Sequence, residues 1–382
     1  MTDKDLQQEI VSLRTEDGHT LDGLLVWNPH LKPRVATLSM HPDGSGLKHF
    51  ELEPLAREGF MALRLKSRFA GNNATMIMEE IMLDLAGGVN FLRQRGAEKV
   101  ALFGHSGGGP LMAFYQSQAE SPTVSSTPAG DPPDLTRATL PKADAIIITN
   151  SHLGRHREFT QRIDPSVTNE SDPHSIDASL DMYNPANYQT RDGGVVYSSA
   201  FLESYRTAQK ARCDRISDWA RVQLRHIKER AHRGIHDMPF VLHRTMANPR
   251  FLDRVNFKSG MPTGTLWGDP YTLNYTAHRG REGPFVTLKS WFSHLYYATS
   301  NADTLRHIAL VKAPLLVVGG TADYGGDISE NVYKAATTAD KKLKYVAGAS
   351  HWFESDPEHL QQAMQITSDW LRERSFGRDS ND

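Results

Sequence analysis

Val100-Ala101-Leu102-Phe103-Gly104-His105-Ser106-Gly107-Gly108 is the stretch around which the rest of the chain can be read. The four apolar residues predict a buried strand, and the pattern from Gly107 to about Gln118 predicts a helix. Between them, Ser106 stands two residues from Gly104 and two from Gly108, the arrangement of a nucleophile elbow. The strand-to-helix turn is so tight that neighbouring chain passes close to both glycines, where any side chain would collide. The same turn pushes the Ser106 hydroxyl out to a helix N-terminus, where free backbone N–H groups can meet developing negative charge.

Outward from this turn, strand and helix patterns alternate. Ile10–Arg14 and Leu21–Trp27 flank Asp17-Gly18 and predict a hairpin. Arg34–Met40, Met61–Leu65 and Ala143–Thr149 read as strands, and Phe50–Glu58 and Met76–Arg95 as helices. Residues 121–141 carry five prolines and read as a surface loop. From about Asn150 to Arg306 the alternation stops. That segment holds a long helical pattern from Ser199 to about Arg233 and a second near Pro284–Thr299. The rhythm resumes with the strand Pro314–Val318, a helix near Ile328–Ala336, the strand Leu343–Val346 and a closing helix from Pro357 to Arg374. Such alternation predicts an α/β fold, a parallel sheet with helices on both faces. The organisation is a core of 1–150 and 307–382, with a mainly helical insertion over 151–306.

The formal charge of −2, from 43 basic and 45 acidic residues, gives no reason to expect nucleic acid or an anionic membrane as partner. The one cysteine, Cys213, excludes an intrachain disulfide. The polar start Met1-Thr2-Asp3-Lys4-Asp5 has no apolar leader, and nothing approaches the roughly 18 apolar residues of a spanning helix, so the expected location is the cytoplasm. A homo-oligomer is compatible with all of this.

A serine hydroxyl needs a base to take its proton and an acid to orient that base. In an α/β sheet of this kind both belong in loops beyond later strands. Asp323 sits in Gly320-Thr321-Ala322-Asp323, after one such strand, and His351 sits in Gly348-Ala349-Ser350-His351-Trp352, after the next. Asp327 is a nearby alternative to Asp323. The order Ser…Asp…His, with each residue past its own strand, resembles the α/β-hydrolase family over about 1–150 and 307–382. The resemblance implies a mostly parallel eight-stranded sheet and a large helical cap inserted after the sixth strand. It also implies Ser106 as nucleophile, His351 as general base and then acid, and Asp323 as its orienting carboxylate. The oxyanion hole would take the N–H of Gly107 and one from the His41–Gly46 loop. Many members have His-Gly there. This chain has His41-Pro42, and proline has no N–H, so the second donor is Asp43, with Gly44 the alternative.

His41 and His105 read as hydrogen-bonded scaffold, and His105 is also, with Trp291, a candidate substrate contact. Trp291 and Leu295 share one helical face in Thr287–Tyr297, which is either packing inside the cap or an aromatic wall over the serine. Arg68 reads as a structural ion pair or a contact for an anionic substrate. His226, His232, His236 and His243 cluster, but Gly234 interrupts their spacing, and no metal or other cofactor is expected. Serine at the elbow, where dehalogenases and epoxide hydrolases of the family carry aspartate, suits hydrolysis of a small-molecule carboxylic ester through an acyl-enzyme. The alternatives are a cofactor-free C–C hydrolase acting on an activated ketone with the same triad, or a non-catalytic ligand-binding relative.

Overall fold

The computed structural model of the protein describes residues 6–172, 174–191, 194–230, 234–253, 255–256, 268–275, 285–323, 327–353 and 356–374. Met1 to Asp5, His232, Arg233 and Pro284 therefore lie outside the described residues. The chain divides into two compact units. One comprises Met1–Asn72, Met78–Gly154 and Asn301–Asp382; the other comprises Asn73–Ile77 and Arg155–Ser300.

The first unit is built on eight strands: β1 (Gln7–Arg14), β2 (Thr20–Trp27), β3 (Val35–His41), β4 (Met61–Lys66), β5 (Lys99–His105), β6 (Ala145–Thr149), β7 (Leu315–Gly320) and β8 (Lys341–Val346). They form one sheet in the order β1-β2-β4-β3-β5-β6-β7-β8. β2 runs antiparallel to both its neighbours, and every other pairing is parallel. The mostly parallel eight-stranded sheet is thus present. β5 lies near its centre, with Leu102 paired to Leu38 on one side and Ile146 on the other. β5, β6 and β7 are buried throughout their apolar runs because chain covers both faces of the sheet. β8 is an edge strand and carries Lys341, Lys342 and Lys344, charges that discourage pairing with another chain.

The helices of this unit are α1 (Leu52–Arg57), α2 (Met78–Gln94), α3 (Gly108–Glu120), α4 (Ile328–Ala335) and α5 (Pro357–Arg372). The closing helix α5 starts where Asp356 accepts from the Glu358 N–H (2.9 Å) and Pro357 fills the first turn. Its Ala363, Met364, Trp370 and Leu371 pack in one cluster with Leu55, Phe60, Val318 and Val346. α3, which carries the chain away from Ser106, is buried from Gly108 to Ala119, so the helix behind the elbow is gripped on every side.

One buried grip on α3 depends on pH. The Ser117 hydroxyl meets His307 Nδ1 at 2.6 Å, and His307 Nε2 donates to the Asn301 carbonyl at 2.6 Å. Burial pushes His307 from its ordinary 6.5 down to about 4, although the bond to Asn301 works the other way. Between those values the unfolded chain takes up a proton that the folded chain refuses. The stability contributed by neutral His307 is therefore complete above pH 6.5 and is lost as pH falls towards 4, a change of about 3 kcal/mol. Melting temperature measured across this range should fall more steeply for the native protein than for His307→Gln. Parallel curves would show that His307 is not the group responsible.

The second unit contains the helix Arg155–Arg162 and the long helix Ser199–Glu229, which Ser198 caps by accepting from the Phe201 N–H. Its interior includes Met182, Tyr197, Tyr205 and Ala247. The helix expected near Pro284–Thr299 takes a different form. Phe285–Thr287 is a short strand paired with Pro239–Val241, as its β-branched and aromatic residues favour. Thr287 then caps the turn Leu288–Ser290, and Trp291–Leu295 widens into a π-helical turn, with the Tyr296 N–H donating to the Trp291 carbonyl (2.8 Å).

Candidate active site

The elbow is strained as its sequence requires. Ser106 has φ +54°, a left-handed backbone that few side chains other than glycine adopt without cost. A Cβ on Gly104 would lie 2.8 Å from the Gly108 carbonyl oxygen, and one on Gly108 would lie 2.6 Å from that of Met40. Both obstacles are backbone, so neither can swing aside. Gly108→Ala should therefore destabilise the protein by about 1–3 kcal/mol through overpacking. A melting temperature unchanged from the native protein would contradict this reading of the turn.

Three strand ends place the remaining groups. β5 delivers Ser106, the loop after β7 delivers Asp323, and the loop after β8 delivers His351. His351 Nε2 lies 3.0 Å from Ser106 Oγ, and His351 Nδ1 lies 3.0 Å from Asp323 Oδ1. All three are buried: Ser106 is 9% exposed, Asp323 5% and His351 2%. A nucleophile, a base in contact with it and a carboxylate fixing the base's tautomer can together move one proton off Ser106 and return it to a leaving group. Asp327 instead stands at the head of α4, where its carboxylate accepts from Asn331.

Gly107 occupies the N-cap position of α3, and its N–H has no acceptor among the described residues. In the loop after β3, the Gly44 N–H donates to His41 Nδ1 (3.1 Å), which occupies the alternative oxyanion donor. Asp43 holds the loop in another way. Its carbonyl accepts from the Gly71 N–H at 3.1 Å.

His105 closes β5 immediately before Ser106 and is 3% exposed. Its Nδ1 meets Thr149 Oγ1 at 3.1 Å, and its ring lies against those of Phe50, His351 and Trp352. Burial first, and then the neighbouring imidazoles of His351, His49 and His41 and the Arg64 guanidinium, hold His105 well below its ordinary value, so it stays neutral. Beyond it lies a buried pair that sequence reasoning missed. Glu51 accepts from Ser39 and contacts His49. Burial alone would raise its carboxyl, but His49, Arg64 and the Ser39 bond hold it at about 2. Nothing in its sequence context marks Glu51, because its partners come from β3, β4 and its own loop.

Trp291 is fully buried inside the second unit, where its Nε1 donates to Ser217 Oγ (2.9 Å) and its ring meets Phe159 edge-on. Arg68 is spent on an ion pair with Asp84 (2.7 Å) and Asp17 (2.6 Å). Among the described residues no three His, Cys, Asp or Glu gather as a metal site, and His232 lies outside them.

No family model and no curated protein sequence matches this chain. Solved structures do. The hypothetical protein PA2218 from Pseudomonas aeruginosa is 14% identical with a TM-score of 0.54, over 96% of this chain and 94% of that one. DcsB, solved with its substrate analogue, is 14% identical with a TM-score of 0.52, over 96% and 99%. The α/β hydrolase GrgF from Penicillium sp. sh18 is 13% identical with a TM-score of 0.52, over 96% and 98%. At such identity the likeness is one of fold, and with the strand order above it gives this chain the α/β-hydrolase fold.

Proposed function

We propose that the protein is a serine hydrolase that cleaves a carboxylic ester of a small molecule through an acyl-enzyme. The observation that carries this reading is the continuous contact Ser106–His351–Asp323, 3.0 Å at each step, on a strained elbow. His351 takes the Ser106 proton as Oγ attacks the ester carbonyl. The N–H groups of Gly107 and Asp43 hold the oxyanion, and His351 then protonates the departing alcohol. In the second half His351 draws a proton from water, the hydroxide attacks the acyl carbon, and Ser106 leaves with the proton returned. Asp43 is the second donor because Pro42 has no N–H and that of Gly44 is spent on His41. The buried triad favours a small substrate over a polymer. No helix among the described residues is long and apolar enough to cross a membrane, and a single buried, free cysteine suits the reducing cytoplasm.

The test is a panel of nitrophenyl esters of graded acyl length, run beside a fluorophosphonate probe. Turnover that peaks at one length, together with one probe mass on Ser106, is the expected result. Labelling of Ser106 without turnover of any ester would overturn the ester assignment while keeping the nucleophile. No labelling would remove both.

A further inference from the structure

From the contacts at the tip of β6 we propose that Asn150 is a positioning residue for the Ser106–His351–Asp323 relay, which it clamps from beneath. The inference rests on the triad reading above and extends it to a residue that lacks any chemistry of its own.

Asn150 follows Thr149, the last residue of β6, between the strand that leads into Ser106 and the strand that leads to Asp323. It is 2% exposed and has φ +37°, a left-handed backbone for a residue other than glycine. Its side-chain amide makes three hydrogen bonds, all to backbone. Oδ1 accepts from the Gly320 N–H at 2.6 Å, and Nδ2 donates to the carbonyls of Ser350 (3.0 Å) and His351 (2.9 Å). Gly320 closes β7 just ahead of Asp323, whose own N–H donates back to the Gly320 carbonyl. One amide therefore ties the root of the acid loop to the backbone of the base itself.

Its neighbours in sequence reach the nucleophile. The Thr149 carbonyl accepts from the Ser106 N–H (3.2 Å), and the Ser151 hydroxyl donates to the Ser106 carbonyl (3.0 Å). Thr149, Asn150 and Ser151 thus fasten the backbone of Ser106 and His351 and the root of the Asp323 loop, without touching the reacting atoms. The chemistry needs asparagine at this point. An aspartate would keep the acceptor but face two carbonyl oxygens with a carboxylate, and an aliphatic residue would take the side-chain acceptor from the Gly320 N–H and a donor from each of the two carbonyls. The left-handed backbone also suits asparagine better than most residues. A purely architectural residue would need no such match of one acceptor and two donors to the two catalytic loops.

A misplacement of about 1 Å can cost 10²-fold in rate while leaving ground-state binding alone. The test measures kcat, KM, fluorophosphonate labelling rate and melting curves for Asn150→Ala and the isosteric Asn150→Asp, with Ser106→Ala beside them. The expected result is a fall in kcat and in labelling rate of about 10²-fold for both Asn150 variants, with KM within about threefold of native. Native kcat in either folded variant overturns the proposal. So does a loss that tracks only the fraction of folded protein as temperature is varied, or a change confined to KM. An active Ser106→Ala would instead overturn the triad reading, so the two failures are distinguishable.

Discussion

Ser106→Ala is expected to lower ester hydrolysis by about 10⁴- to 10⁶-fold while the protein still folds. The magnitude follows from the relay. Without Oγ the base has nothing to activate, and catalysis falls to what the oxyanion donors and substrate binding supply alone, typically about 10³–10⁴ above the reaction in water. Among the described residues the lost hydroxyl makes one side-chain hydrogen bond, the 3.0 Å approach to His351 Nε2. Its other anchors, the Thr149 carbonyl and the Ser151 hydroxyl, hold backbone and survive the substitution. Initial rates on the best nitrophenyl ester, with a melting curve for each protein, make the measurement. His351→Ala added to Ser106→Ala should cost little more, because the two act as a unit. Hydrolysis at the native rate by Ser106→Ala would show that another group attacks the substrate.

Asp323→Asn should lower kcat by about 10⁴-fold with the geometry nearly intact. Asp323 Oδ1 accepts a hydrogen bond from the N–H of His351 Nδ1, which keeps that proton there and leaves Nε2 with its lone pair facing Ser106. An asparagine amide in that place can donate to Nδ1, which moves the imidazole proton to Nε2 and removes the base from the nucleophile. The control is Asp327→Asn, four residues on, whose carboxylate heads α4 and should change kcat by less than about threefold. Equal losses in the two variants would point to general loop damage, and a loss in Asp327→Asn alone would reassign the acid.

Much of this arrangement is legible in one dimension. The elbow announces itself because a strand, a strained serine and two glycines must be consecutive. A Cβ on Gly104 or Gly108 meets backbone at 2.8 and 2.6 Å, so no other residue type fits there. The eight strands are legible because the buried ones are continuous apolar runs, whose period is set by local backbone geometry. Asp323 and His351 can be found because each follows its own strand in a fixed chain order. Asn150 is different. Its sequence neighbourhood shows only that no carboxylate stands after β6, and its role depends on carbonyls 200 and 201 residues away. Glu51 is hidden for the same reason, as is the grip of His307 on Ser117, 190 residues apart. Trp291 has an aromatic pattern compatible with a wall or a core, and its hydrogen bond to Ser217 is visible only once the second unit has folded.

The sequence by itself therefore determined the strained turn that carries Ser106, the alternating layers on which it sits, and the two residue types able to complete a proton relay. Those features arise from local sterics and periodic burial, which act between residues close in the chain. Tertiary structure alone decided which donor in the His41–Gly46 loop is spent, which aromatic side chains are buried, and which amide ties the acid loop to the base. Each of these depends on hydrogen-bond partners far apart in sequence, and a backbone carbonyl that recruits a distant side chain leaves no trace in its own residue type.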